Sequence, residues 1–108
     1  MSGLSDRDRD LLRRFEARVR DALPGRVERV VAFGSRARGT SRPQSDLDIA
    51  VFLNGEVDQD VKDVVIDTGL DLSGDDDSPI VIATVLEAGR WNDDTPLVRA
   101  IRSDGVAA

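Results

Sequence analysis

The sequence predicts an α/β (α+β) domain in which helices cover a small mixed sheet of three strands, or four. Three observations predict it. Short β-branched runs fall at 27–33, 46–53 and 79–86, each bounded by glycine, proline or aspartate. Stretches at 6–23 and 57–73 carry apolar residues at helical spacing between those runs. The 108 residues fit one domain, 1–108, whose folding buries roughly 60–70% of the surface the unfolded chain exposes.

Taken in order, Ser5 is placed to cap a first helix, with Asp6 and Asp8 complementing its positive end. Leu11, Phe15 and Val19 recur every fourth residue, Leu12 and Leu23 widen the stripe, and Pro24-Gly25 stops the helix. Val27–Phe33 and Asp46–Leu53 are continuous apolar runs, as expected of central strands. Val57–Ser73 places Val61, Val64, Val65 and Leu72 on a helical period. The segment 74–78 breaks that pattern, and Pro79–Leu86 reads as a third strand with proline tolerated at its start. A polar stretch around Trp91 leads to a last helix, with Pro96 at its first position and Gly105 beyond its end.

Topology then says which ends meet. A strand, helix, strand crossover makes the second and third strands parallel, so their starting ends share one edge of the sheet. For Gly34-Ser35, which ends the first strand, to reach that edge, the first strand must run antiparallel to the second. The ten-residue connection from Ser35 to Asp46, too short for a full parallel crossover, permits this. Gly34-Ser35 thereby reaches the edge where Asp46 and Asp48 begin.

Composition narrows the chemistry. The chain has no cysteine and no histidine, which excludes disulfides, thiolate sites and imidazole catalysis. No stretch approaches the roughly 20 apolar residues of a membrane span, and a cytoplasmic protein with no membrane association is expected. A net charge of −6 argues against direct nucleic-acid binding, while leaving a basic protein partner open. Of fifteen basic residues only Lys62 is a lysine, and Arg36, Arg38 and Arg42 crowd between Ser35 and Asp46. The many aspartates fit a high-salt cytoplasm and a GC-rich genome equally.

Alternate residues of a strand share a face, so Asp46 and Asp48 project together, with Leu47 turned to the core. Paired carboxylates suit Mg²⁺, which takes one or two of them together with water and substrate phosphates. The Gly34-Ser35 turn offers the complement: close backbone approach, free amides at the start of a short helix, and a hydroxyl for phosphate oxygens. Arg36 and Arg38 either neutralise triphosphate charge or face solvent. Gly39 fits a positive-φ helix end. Trp91 either stacks on adenine or a partner, or packs at the rim of the core.

Phe33-Gly34-Ser35-Arg36-Ala37-Arg38-Gly39, followed by Ser45-Asp46-Leu47-Asp48-Ile49-Ala50-Val51, resembles the signature of the minimal nucleotidyltransferases (MNT) of the DNA polymerase β-like superfamily. The resemblance implies that superfamily's mixed-sheet fold and transfer of AMP from ATP under Mg²⁺. It also implies that Gly34 and Ser35 hold the β- and γ-phosphates and that Asp46 and Asp48 ligate the metals. It further implies pairing with a HEPN-domain ribonuclease toxin, whose antitoxin such proteins often are, some by adenylylating the toxin. Such proteins often act inside larger assemblies with their partners, and an oligomer and a monomer with an open cleft both fit the sequence. Active relatives commonly carry a third aspartate on the third strand. Here 78–84 contains no acid, and Asp77, just upstream, is the expected third catalytic and metal-binding residue. Two alternatives accompany this expectation: a catalytically faded antitoxin that binds its partner stoichiometrically, and a small-molecule nucleotidyltransferase of the aminoglycoside-modifying type.

Overall fold

The computed structural model describes residues 3–40, 45–73 and 79–108. The element order is α1 (Asp6–Ala22), β1 (Val27–Phe33), α2 (Gly34–Arg38), β2 (Leu47–Leu53), α3 (Gln59–Leu72), β3 (Val81–Glu87), a 3₁₀ turn (Ala88–Asn92), α4 (Pro96–Asp104) and β4 (Val106–Ala107). The strands form one sheet in the order β3-β2-β1-β4. β1 and β2 are its interior strands, antiparallel to each other, and β3 lies parallel to β2. This is the mixed α/β architecture expected from the sequence.

The helix ends follow the local chemistry. Ser5 and Asp8 form a reciprocal capping box at the start of α1, and Leu23 closes it just before Pro24. Asp58 caps α3 by accepting from the Val61 amide at 2.9 Å, which starts that helix two residues later than its apolar pattern. Thr95 caps α4, with Pro96 in the first turn.

The two faces of the sheet are covered differently. One face packs Val30, Ala32, Leu47, Ile49 and Val51 against Phe15 and Val19 of α1 and Val65 of α3. The other packs Val31, Phe33, Ala50, Phe52 and Leu86 against Val98 and Ile101 of α4. Trp91 lies at the rim of this second cluster, edge-on to Phe52 with ring centroids 5.2 Å apart and with the Arg29 guanidinium 4.1 Å from its centroid. That position is four residues along β2 from Asp48, roughly 13 Å away.

Two elements exceed the sequence reading. β4 adds a fourth strand by pairing Val106 with Ala32 and Ala107 with Val31, a contact too short to leave any alternation in the sequence. The 3₁₀ turn at 88–92 occupies what reads as a polar loop. No described helix is long and apolar enough to cross a membrane.

Candidate active site

The tip of the β1–β2 pair carries the candidate site. Phe33, the last residue of β1, is in register with Asp48 near the start of β2, so the turn that follows Phe33 stands directly beside that aspartate. Gly34 has φ of 81°, and a methyl group added to it would collide with Asp48 Oδ2. Two independent constraints therefore require glycine: a left-handed backbone and a carboxylate against its Cα. Ser35 is next in α2, and Phe33 at the N-cap position offers that helix no side-chain cap. No side chain therefore occupies the start of α2, the end of a helix that favours anions. Gly39, also at φ of 81°, ends the helix, with its amide directed at the Arg36 and Ser35 carbonyls.

Asp46 is exposed and Asp48 half-buried, two residues apart, while Leu47 between them is fully buried. Burial raises the Asp48 pKa above its ordinary 3.8, the negative charge of Asp46 raises it further, and the nearby Arg38 guanidinium pulls it partly back. The two carboxylates repel each other, and a cation between them removes that repulsion. The oxygen donors fit a hard divalent ion such as Mg²⁺, which Asp46 and Asp48 would hold. Among the described residues no third acid, histidine or cysteine joins them. Asp77 lies outside the described residues.

The arginines have specific positions. Arg38 pairs with Asp104 of α4 at 2.9 Å while still acting on Asp48. Arg36 donates through Nη1 to both carboxylate oxygens of Asp8, at 3.1 and 3.2 Å, and through Nε to the Ser45 carbonyl at 2.7 Å. The structure thus brings Gly34, Arg38, Asp46 and Asp48 together, with Ser35 one residue from the Gly34–Asp48 contact, and ties Arg36 to α1.

Sequence reasoning missed two participants. Asp8 reads as a helix-end charge, yet it is buried; the Ser5-x-x-Asp8 spacing signals only its capping half. Ile82 is in register with Asp48 on the parallel neighbour β3 and is 40% exposed, so an apolar side chain flanks the carboxylate pair on the same face. A hollow of about 560 Å³ lies beside Asp104, along Arg99, Ala100, Arg102 and Ser103 of α4.

The sequence matches the family model described as a nucleotidyltransferase domain over residues 12–95, well over half of the chain. The chain belongs to the nucleotidyltransferase domain family. Its fold is shared with spectinomycin adenyltransferase AAD(9) from Enterococcus faecialis, solved with ATP and spectinomycin. That likeness has a TM-score of 0.65 and 18% identity and covers 82% of this chain and 37% of that one. A Sulfolobus solfataricus protein provisionally described as a nucleotidyltransferase aligns with a TM-score of 0.58 and 26% identity, covering 94% of this chain and 78% of that one. The nucleotidyltransferase domain thus spans little more than a third of the first of these structures. No curated protein matches the sequence significantly.

Proposed function

We propose that this nucleotidyltransferase domain transfers AMP from Mg²⁺-bound ATP to a hydroxyl of a protein partner, as the antitoxin of a HEPN-type ribonuclease toxin. The contact of Gly34 with the Asp48 carboxylate carries the reading, because it puts an uncapped backbone turn and a pair of carboxylates at one strand tip. The matched family and the ATP in the solved adenyltransferase support nucleotidyl transfer as the chemistry.

The amides of α2 and the Ser35 hydroxyl hold the β- and γ-phosphates, and Arg38 adds positive charge beside them. Asp46 and Asp48 hold Mg²⁺, which neutralises phosphate charge when bound. The acceptor oxygen bonds to the α-phosphorus, the bond to the bridging oxygen breaks, pyrophosphate departs, and the acceptor's proton passes to solvent. Asp77 is the third acid of the site in this proposal. Incubating the chain with α-labelled ATP, Mg²⁺ and the product of the neighbouring open reading frame should label that product, and Asp48→Ala should abolish labelling. Labelling that survives Asp48→Ala overturns the site.

A second reading, stoichiometric neutralisation of the partner without catalysis, is favoured by Ile82, which stands where β3 would offer a carboxylate next to Asp48. Under it, wild-type chain transfers no label and the Asp46→Ala, Asp48→Ala double variant still protects cells from the toxin. Turnover by the wild-type chain removes this second reading. Spectinomycin, the ligand of the solved adenyltransferase, belongs in the same assay as an acceptor. Its modification would move the function to small molecules.

A further inference from the structure

Asp8 is the only charged or polar side chain fully buried among the described residues. Its partner Arg36 is also well buried, at 13% side-chain exposure. Taking a carboxylate and a guanidinium out of water costs several kcal/mol per ion, and such a pair is weak support for stability by itself. Its value lies in what it fixes. The Asp8 carboxylate completes the α1 capping box with Ser5 and meets the Arg36 fork. The Nε of the same fork reaches the carbonyl of Ser45, the residue immediately before Asp46. Arg36 itself follows Ser35 directly. One planar group therefore bridges the residue after the anion-binding turn and the residue before the carboxylates, closing the neck of the connection between them. The amino-terminal segment adds a second tie, with the Gly3 amide donating to the Ala37 carbonyl at 2.9 Å.

We propose that Arg36, oriented by Asp8, is a positioning residue that sets the separation between the Gly34-Ser35 turn and the Asp46/Asp48 pair. The proposal rests on the nucleotide reading of that site. Asp8 lies on α1, ahead of the segment that matches the family model, which begins at residue 12. Arginine suits the task because its rigid fork serves two acceptors at once, which a lysine cannot reproduce. A clamp of this kind acts on the coupling between metal and nucleotide. It leaves untouched the part of nucleotide binding that the turn provides alone.

The test is calorimetric titration of the full chain with a non-hydrolysable ATP analogue, with and without Mg²⁺, for wild type, Asp8→Asn, Arg36→Lys and the double variant. Each single change should lower Mg²⁺-dependent affinity roughly ten- to a hundredfold, the range for changes one layer outside a metal site. Metal-free affinity should stay within about twofold of wild type, and the double variant should be no worse than either single one, because both remove one clamp. Amide exchange without nucleotide should quicken at 34–37 and 45–48 in both single variants and stay unchanged in β3. This measurement keeps Arg36→Lys informative even if Asp8→Asn fails to fold. Wild-type protein that binds no nucleotide overturns the functional reading on which the proposal stands. Wild type that binds, with Asp8→Asn matching it in affinity and exchange, overturns the clamp alone. Loss of metal-free affinity in Arg36→Lys but not in Asp8→Asn also overturns it, since Arg36 then contacts phosphate directly.

Discussion

The two tips of the β1–β2 pair are built from the same antiparallel ladder and finished in opposite ways. At the tip where Val27 meets Leu53, Arg26 donates to the Asn54 carbonyl through Nε and Nη2, at 3.1 and 2.9 Å, and also to the Glu56 carbonyl. The Asn54 side chain donates to the Gly25 carbonyl at 3.0 Å. The Arg26 and Asn54 side chains thus tie the segment entering β1 to the segment leaving β2, and both are satisfied within the chain. At the other tip, where Phe33 meets Asp48, the helix that follows has no side-chain cap and the two nearby carboxylates repel each other. Local cost at one end of a ladder whose other end is satisfied marks a place shaped for something other than stability.

The largest effect that sharpens this contrast is expected from Asp48→Asn. It should lower the Mg²⁺-dependent component of nucleotide affinity by more than about a hundredfold, beyond the range for residues that only support a ligand. Titration at fixed ATP analogue measures it, and an unchanged Mg²⁺ dependence would make the two tips equivalent.

The pH dependence of the same quantity comes next. Metal and proton compete for Asp48, so below its raised pKa the Mg²⁺-linked affinity should fall by up to about tenfold per pH unit. The fall should begin at higher pH than for a carboxylate of ordinary pKa 3.8. A profile flat down to the ordinary carboxylate range would place the metal elsewhere.

The satisfied tip should behave inversely. Arg26→Ala removes charge-assisted bonds to two carbonyls and should cost about 1–2 kcal/mol of stability, read from denaturant unfolding, while leaving Mg²⁺-linked binding unchanged. Loss of nucleotide affinity in this variant would show that the two tips are coupled.

The smallest effect has the opposite sign. A raised Asp48 pKa means that the folded state holds this proton more tightly than the unfolded chain. The stability it contributes is full below the ordinary value of 3.8 and is lost as pH rises through the raised one. At neutral pH the ionised group is a cost to the unliganded fold, damped by solvent because Asp48 is only half-buried, so Asp48→Asn should raise the melting temperature, by no more than a few degrees. The gain should vanish below pH 3.8, where both side chains are neutral.

What the sequence revealed and what it hid follows from the range of each interaction. The α1 stripe of Leu11, Phe15 and Val19, the limits of β1 and the antiparallel turn to β2 depend on local periodicity and loop length, and all are legible. The Gly34–Asp48 junction was accessible because topology alone brings those ends together. The Asp8–Arg36 contact spans 28 positions and the β4 pairing involves two residues, so neither leaves a periodic trace. Ile82 became informative only through its register with Asp48, since an isoleucine in a strand looks like any other core residue until its exposed face is known.

The most direct test of the central claim is a crystal structure of the chain with Mn²⁺ and a non-hydrolysable ATP analogue, read by anomalous scattering. The account predicts metal density on the Asp46 and Asp48 carboxylates and phosphate oxygens against the Gly34 and Ser35 amides. Nucleotide bound elsewhere, for example in the arginine-lined hollow along α4, with the turn and both aspartates untouched, would contradict it.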